Sequence, residues 1–198
     1  MGIMVSILCA TYNHESYIRQ ALDSFLMQET NFDFEILVHD DASTDGTTGI
    51  VKEYEKRYPD IVKPLYQSEN QYSKGVKITP LNAARAQGRY VALCEGDDYW
   101  SDASKLQRQV DLMEGNPSCS LCLHAAFRVS DEGEGLGELI RPARGDRILL
   151  TSYVIRHVMG NFATNSIMFP SALLAGLPEF YYSCPVGDWP LVLYLSSS

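Results

Sequence analysis

The strongest constraint on the fold is a regular alternation of short apolar segments and helical patterns over the first 115 residues. Four apolar segments have the length of buried strands. They span residues 5–10, 34–39, 61–66 and 90–94. Between them, apolar residues recur at helical spacing, as at Ile18, Leu22 and Phe25. Strands that alternate with helices over short loops form parallel sheets. We therefore predict an α/β fold with a mostly parallel, doubly wound central sheet flanked by helices.

The pattern changes after residue 117, where strands and helices no longer alternate regularly. We predict a long strand over 121–129, a loop or hairpin at 131–137, a short helix over 153–158 and a strand over 166–169. A last helix is expected to begin at Asp188, since an acid and an early proline are typical of a first helical turn. A chain of 198 residues fits a single domain.

Composition excludes some partners and suggests a compartment. Lysine and arginine total 16 against 25 aspartates and glutamates, a net charge of −9, which argues against nucleic acid as a partner. No apolar run reaches the roughly 20 residues of a membrane span, and the start lacks a signal peptide pattern. Five cysteines, an odd number, suit reduced thiols. We expect a cytoplasmic protein.

Two acidic clusters follow predicted strands. Asp40 and Asp41 end the second strand, and Glu95, Asp97 and Asp98 follow the fourth. Because ligands of open α/β sheets bind beyond the carboxyl ends of strands, both clusters should face one crevice. Close carboxylates stay ionised together only if a cation offsets them, and Mg or Mn prefers such oxygen ligands. A solvated acidic turn is the alternative.

Further candidates come from single residues near these loops. Tyr12 lies at the end of the first strand, where its ring could lie against a base or simply occupy the rim. Arg85, Lys74 and Lys77 are either crevice cations or solvated surface charges. Asp188, beside Trp189, could act as a general base for a hydroxyl or cap its helix. The chain contains no Gly-x-Ser-x-Gly, Walker A or Gly-x-Gly-x-x-Gly motif.

Four motifs in order resemble those of the family-2 inverting glycosyltransferases. Residues 5–13 (VSILCATYN) resemble the first-strand signature, and 35–47 (EILVHDDASTDGT) resemble the E-I-hydrophobic-D-D-G-S-T-D-G-T stretch. Residues 84–88 (ARAQG) resemble A-R-N-x-G, and 93–98 (LCEGDD) resemble L-D-x-D-D. The match covers roughly the first 110 residues. It implies a nucleotide-sugar-binding fold of the GT-A type.

The resemblance also assigns roles on the donor side. It implies that Thr11 and Tyr12 lie beside the nucleotide base, and that Asp41, with Asp40, bonds the uracil or other base. Arg85 would reach the base or the phosphates. In the D-x-D region it implies that Asp97 and Asp98 contact the ribose and a divalent metal, Mn or Mg, with Glu95 in place of the usual first aspartate.

On the acceptor side, the resemblance implies that Asp188 in Gly187-Asp188-Trp189 is the catalytic base. The implied reaction transfers a sugar, with inversion, from a nucleotide-sugar donor, a UDP-sugar being favoured, to a hydroxyl of a glycan or lipid-linked acceptor. Such enzymes commonly build surface polysaccharide, so we expect peripheral docking on the inner membrane face. Residues 1–115 would form the nucleotide-binding half and 116–198 the acceptor-side half. We expect truncation at the C-terminus, because many relatives continue beyond this point.

The chain also departs from the family pattern, which keeps alternatives open. Ala42 stands where the family has glycine, and Ala86 stands where it has asparagine. One alternative is a non-catalytic sugar-nucleotide-binding module. Another is a sugar-1-phosphate nucleotidyltransferase, which should carry a Gly-rich basic loop where this chain has residues 11–14. Sequence determines neither the donor sugar nor the acceptor nor the oligomeric state.

Overall fold

A central five-stranded sheet organises the computed structural model, which describes residues 2–131, 133–158 and 160–198. Its strand order is β3-β2-β1-β4-β7, and the first four of these strands run parallel. The edge strand β7 pairs antiparallel to β4. A separate hairpin contains β5 and β6. The strands are β1 (Val5–Thr11), β2 (Phe34–Asp40), β3 (Leu65–Tyr66), β4 (Tyr90–Leu93), β5 (Ala126–Val129), β6 (Gly135–Ile140) and β7 (Met168–Pro170).

Helices connect the strands and cover both faces of the sheet. They are α1 (Ile18–Leu26), α2 (Thr47–Arg57), α3 (Ile78–Ala83), α4 (Lys105–Gly115), α5 (Thr151–Tyr153), α6 (Glu179–Ser183) and α7 (Asp188–Ser196). A π-helical turn, Val154–Val158, continues α5. The prediction of a mostly parallel sheet flanked by helices is confirmed.

The two faces of the sheet bury separate apolar cores. Successive strand side chains point to opposite faces, so Ile7 packs with α1, α2 and α4, whereas Leu8 packs with α7 and the turn after α5. Ile7 and Leu8 are both almost fully buried. Burial on both faces explains why β1 is a continuous apolar run without polar alternation.

Two predicted strands differ in the structure. The third is confined to Leu65–Tyr66, with one isolated bridge at Val62, because Pro64 has no backbone N–H to donate to the ladder. The prediction of one long strand over 121–129 is wrong. Only Cys122 bridges to Met168, and the chain then leaves the sheet to form the β5–β6 hairpin. Part of the predicted 131–137 loop, Glu132, lies outside the described residues.

Two further observations bear on partners and chemistry. Within the described ranges, no helix combines the length and apolar character needed to cross a membrane. All five cysteines are free thiols, and Cys9 and Cys94 are buried beneath the carboxyl end of the sheet.

Candidate functional site

The carboxyl ends of β1, β2 and β4 meet and form the floor of a crevice. The backbone N–H of Asp41 donates to the Thr11 carbonyl (3.0 Å), which joins the loop after β2 to the end of β1. On the other side, the Gly96 N–H donates to the Ala10 carbonyl (2.8 Å). The structure therefore brings both acidic clusters to the two sides of β1, as the strand pattern predicts.

Close packing between Thr11 and Gly96 fixes the acidic loop after β4. A Cβ placed on Gly96 would lie 2.7 Å from the Thr11 Oγ1, 2.8 Å from its Cβ and 3.0 Å from the His14 Nδ1. Only glycine lets the two backbones approach this closely. The Thr11 Oγ1 and His14 Nδ1 are buried without hydrogen-bond partners among the described residues. Both atoms pack closely against Gly96.

The loop after β1 is tied to the loop after β2 by side-chain hydrogen bonds. Asn13 has a left-handed backbone (φ 56°), and its N–H donates to the Ser43 Oγ (3.0 Å). Its side-chain oxygen accepts a hydrogen bond from the Thr44 N–H (2.8 Å). Tyr12, which directly precedes Asn13, is 43% exposed at the crevice rim. An exposed, positioned ring of this kind can stack against a planar base.

Asp40 and Asp41 are both buried and both organise backbone. Asp40 accepts hydrogen bonds from the Ser43 N–H (3.0 Å) and from the Thr48 hydroxyl, which fixes the turn into α2. One Asp41 oxygen accepts the Gln71 N–H (2.8 Å) and the other the Tyr72 N–H (3.0 Å). These bonds hold the segment that follows β3 against the crevice. Contact of either carboxylate with a nucleotide base stays a prediction.

The loop after β4 concentrates negative charge. Glu95 lines the pocket at the end of β4, where desolvation raises the pKa of its carboxyl group to about 7. Repulsion from Asp97, Asp98 and Asp188 adds to this rise. Burial, followed by repulsion from Asp97, raises the pKa of Asp98 to about 6. The His14 Nε2 lies 3.7 Å from an Asp97 oxygen. The cluster thus has too few neighbouring cations to balance its charge.

Asp188 comes from the opposite end of the sequence, yet it lies near enough to the acidic loop for its charge to act there. It opens α7, and its charge acts on Glu95, 93 residues earlier in the chain. The cap position is occupied by Gly187, and Asp188 lies in the first turn of the helix.

Lys77 holds the turn that precedes Asp188. Its ammonium group donates hydrogen bonds to the carbonyls of Cys184 and Val186, the latter at 3.2 Å. It also lies 5.9 Å from the centre of the Tyr181 ring. Sequence reasoning placed Lys77 only near the crevice loops, because nothing local relates it to a turn more than 100 residues away.

Arg85 is half-buried beneath the end of β2. Its guanidinium donates to the Val38 carbonyl (3.0 Å) and to the Asn82 side-chain oxygen (3.1 Å). Burial lowers its pKa, and the Glu35 charge partly opposes that effect. The structure thus shows Arg85 bound to protein groups, and a contact with a nucleotide stays a prediction.

A second support for the acidic loop was not visible in the sequence. Trp100 donates its ring N–H to the Asn165 carbonyl (2.8 Å) and its backbone N–H to the Ser24 hydroxyl (3.1 Å). The ammonium of Lys105 lies 3.5 Å from the centre of the Trp100 ring. Burial lowers the pKa of Lys105 to about 7. This buried pair anchors the segment directly after Asp98.

The described residues contain no preformed group of three or more metal-ligating side chains. This arrangement still suits a hard divalent cation that a ligand helps to bind. Mg and Mn commonly take one or two carboxylates, waters and substrate phosphate oxygens. Asp97 and Asp98 offer such oxygens beside a charge cluster that lacks cations.

The parallel sheet and the acidic crevice at its carboxyl edge define an α/β protein of the GT-A type. The chain belongs to glycosyl transferase family 2, whose model matches residues 6–174. This confirms both the fold class and the family that the four motifs predict.

Individual relatives and structures agree with this assignment. "Uncharacterized protein Rv1520" of Mycobacterium tuberculosis is 43% identical over 129 residues, which are 65% of this chain and 37% of that protein. The Escherichia coli protein "UDP-Glc:alpha-D-GlcNAc-diphosphoundecaprenol beta-1,3-glucosyltransferase WfgD" is 30% identical over 142 residues, 71% of this chain and 52% of its own length. The chain spans about a third to a half of the curated relatives it matches.

Two solved structures share the fold. S. aureus TarS 1-349 in complex with UDP-GlcNAc gives a TM-score of 0.69 at 23% identity, covering 98% of this chain and 54% of the TarS 1-349 chain. The mannosyltransferase PcManGT from Pyrobaculum calidifontis, in complex with GDP-Man and Mn2+, gives 0.65 at 22% identity, covering 95% and 50%.

Proposed function

We propose that this protein transfers a sugar from a nucleotide-sugar donor, a UDP-sugar, to a hydroxyl group of an acceptor, with inversion at the sugar. The observation that carries the proposal is the acidic loop Glu95–Asp98 at the carboxyl edge of a family-2 fold, where the charge of Asp188 acts on Glu95. WfgD is named for a UDP-Glc donor, and TarS was solved with UDP-GlcNAc. Both support a UDP-sugar as the donor.

The donor would lie across the end of β1. Tyr12 would stack on the base, while Thr11 offers a buried hydroxyl that has no partner among the described residues. Asp40 and Asp41 would bond the base, through lone pairs that remain beside their backbone contacts. Arg85 would contact the nucleotide base or the phosphates.

A divalent metal, Mn or Mg, fits the acidic loop. Asp97 and Asp98 would hold it, because two adjacent carboxylates without enough cations match the ligands that such ions prefer. PcManGT, which shares the fold, was solved with Mn2+. When bound, the metal would offset the negative charge of the donor diphosphate.

Asp188 would act as the general base. Its carboxylate takes the proton of the acceptor hydroxyl, and the acceptor oxygen forms a bond to the anomeric carbon. The bond from that carbon to the diphosphate oxygen breaks, and the nucleoside diphosphate leaves with the electron pair. Because attack is opposite to the leaving group, the configuration at the sugar inverts. Lys77 would keep the base in place through the 184–186 carbonyls.

The acceptor is proposed to be a glycan or lipid-linked sugar of the kind used in polysaccharide biosynthesis. The WfgD name specifies a diphosphoundecaprenol acceptor, which is the basis for this part of the proposal. The acceptor would approach Asp188 from the α7 side of the crevice.

Donor binding is the first test. Calorimetric titration of UDP with and without Mn should show metal-dependent binding that Asp98→Ala abolishes and the exposed control Asp111→Asn retains. GDP should bind more weakly. If a folded protein bound neither UDP nor GDP, the proposed function would be wrong.

Turnover is the second test. Release of UDP from UDP-sugars should fall by about 10²–10⁴ in Asp188→Asn, the range for loss of a general base, with UDP affinity unchanged. UDP binding without any turnover, in the wild type and with acceptors supplied, would instead favour a non-catalytic sugar-nucleotide-binding module.

A further inference from the structure

A buried histidine, which the proposed reaction does not use, lies near the end of β2. His39 is fully buried, and residues 36–38 before it in the strand are apolar. A polar ring in such surroundings costs free energy unless it forms a hydrogen bond. Its Nε2 lies 3.3 Å from an Asp41 oxygen. His39 is therefore linked to the crevice through the Asp41 carboxylate.

The geometry of the strand explains this contact. Residues two apart in a strand point to the same face, so His39 and Asp41 lie side by side although Asp41 is just past the end of β2. The backbone N–H of Asp41 donates to the Thr11 carbonyl (3.0 Å), which holds the pair next to the end of β1. His39 thus contacts the carboxylate that would bond the nucleotide base.

The His39 ring is neutral in this position. Burial lowers its pKa below the ordinary 6.5, and the positive charge of Arg85 acts in the same direction. The hydrogen bond to Asp41 and the charges of Asp41 and Asp40 oppose these effects without reversing the shift. A neutral imidazole has one proton, and an ionised carboxylate only accepts hydrogen bonds. The proton of the ring therefore lies on Nε2, which donates to Asp41.

This donation determines which Asp41 oxygen keeps a lone pair. Oδ1 accepts from the Gln71 N–H (2.8 Å) and from the His39 ring. Oδ2 accepts from the Tyr72 N–H (3.0 Å), which is its one partner within the described part of the chain. Each carboxylate oxygen accepts through two lone pairs, so Oδ1 is saturated and Oδ2 keeps one lone pair.

A single lone pair on a fixed carboxylate selects for a hydrogen-bond donor. Uracil has a proton on N3, whereas cytosine has a lone pair on that nitrogen. The Asp41 oxygen would attract the first and repel the second. A site that is built to hydrogen-bond a ligand N–H discriminates strongly against an analogue that lacks it.

We propose that His39 is a positioning residue for base recognition: it donates its Nε2 proton to the Asp41 Oδ1 and so leaves Oδ2 to accept the N3–H of uracil. The inference rests on the proposed function, in which Asp41 bonds the base. His39 acts through Asp41 and does not touch the nucleotide, because its ring is fully buried. Without the His39 proton, Oδ1 regains a lone pair and the carboxylate is held less firmly.

The test compares two variants of nearly equal size. Glutamine and methionine have side chains of similar length, but only glutamine has an N–H donor near the position of the His39 Nε2. Calorimetric titration of UDP and CDP with Mn gives the selectivity as the ratio of the two affinities. We expect the wild type to favour UDP roughly 100-fold or more. His39→Met should lower this ratio about tenfold, and His39→Gln should keep it within about threefold of the wild type.

Two further measurements separate positioning from folding. In the Asp41→Asn background, His39→Met should cause no further change in selectivity, because the carboxylate that His39 orients is absent. Nitrogen NMR of the histidine rings in the wild type should show His39 as the neutral Nε2–H tautomer, and this measurement does not depend on the stability of any variant. The control His157→Met removes an exposed histidine beside α5 and should leave both affinities unchanged.

Four results would overturn the inference. They are the wild-type selectivity in His39→Met, an equal loss of selectivity in His39→Met and His39→Gln, a fall of UDP and CDP affinity by the same factor, and a His39 ring that is charged or protonated on Nδ1. A wild type that binds UDP without favouring it over CDP would also overturn the inference and leave the proposed function standing. A wild type that binds neither nucleotide would remove the proposed function, and the inference with it.

Discussion

Replacement of Gly96 by alanine tests whether close backbone approach fixes the acidic loop. The added Cβ would lie 2.8 Å from the Thr11 Cβ, whereas ordinary contacts begin at 3.4 Å, so the loop or the end of β1 must move by about 0.6 Å. The contact is with the Thr11 Cβ, next to the backbone of a buried strand, and rotation of a side chain cannot relieve it. Overpacking of this kind costs about 1–3 kcal/mol.

The same displacement should also lower the rate of catalysis. A misplacement of roughly 1 Å can reduce catalysis about 100-fold, so 0.6 Å at the loop that carries Asp97 and Asp98 should reduce turnover by about tenfold. We therefore expect Gly96→Ala to lower both the free energy of unfolding and the rate of UDP release from a UDP-sugar.

Two other glycines provide matched controls for urea unfolding and turnover. A Cβ on Gly49, in the first turn of α2, meets no atom within 4 Å, so Gly49→Ala should stabilise the protein by about 0.5–1 kcal/mol and leave turnover unchanged. Gly88 lies just before β4, at the end of the strand away from the acidic loop. A Cβ on Gly88 would lie 2.4 Å from the Ser6 backbone nitrogen. Gly88→Ala should destabilise the protein more than Gly96→Ala does.

The reasoning fails if Gly96→Ala unfolds at the wild-type urea concentration and turns over at the wild-type rate. It also fails if Gly96→Ala lowers stability and turnover no more than Gly49→Ala does, because only the methyl group at position 96 would meet neighbouring atoms.

Three further predictions follow from single interactions. Lys77→Met should lower kcat about tenfold while UDP affinity stays constant, because loss of the ammonium group releases the turn before Asp188. Steady-state kinetics gives kcat, and calorimetry gives the UDP affinity. A loss of UDP affinity would contradict the prediction. Burial raises the pKa of Glu35, but hydrogen bonds, including one from Lys63, outweigh it and hold the pKa below its ordinary 4.5. Glu35→Gln should thus cost about 1–3 kcal/mol at pH 7 in urea unfolding, a difference that shrinks below pH 4.5, and a pH-independent difference would refute it. Burial lowers the pKa of Lys105 from 10.5 to about 7. The free energy of unfolding of the wild type should therefore rise with pH between these two values, and Lys105→Met should flatten that rise. Urea-unfolding profiles against pH that run parallel in the two proteins would contradict this.

The fold and the positions of the acidic clusters could be predicted because they depend on local patterns. A buried parallel strand is a short apolar run, and the polar residues that follow it lie at the carboxyl edge of the sheet by geometry alone. Asp41 and Asp98 thus share one edge in both the prediction and the structure. The 121–129 segment was misassigned because its apolar residues do not reveal which edge, if any, will pair with them.

The partners of the site residues could not be predicted. Asp41 bonds backbone 30 residues away, and Lys77 bonds carbonyls 107 and 109 residues away. Hydrogen bonds at such separations depend on how loops pack after the sheet has formed, and no period or spacing in the sequence encodes them. The contact between Trp100 and Lys105 could not be predicted either, because their residue types suggest a rim aromatic and a surface cation rather than a buried pair.

By itself the sequence determined the order of strands and helices, the acidic edge of the sheet and the family, because these depend on residue types over short stretches. Only the tertiary structure decided that the charge of Asp188 acts on Glu95 and that Ile148, Leu150 and Ile155 are exposed. The physical reason is that charge coupling and exposure depend on distances through space, which chain folding sets independently of separation along the sequence.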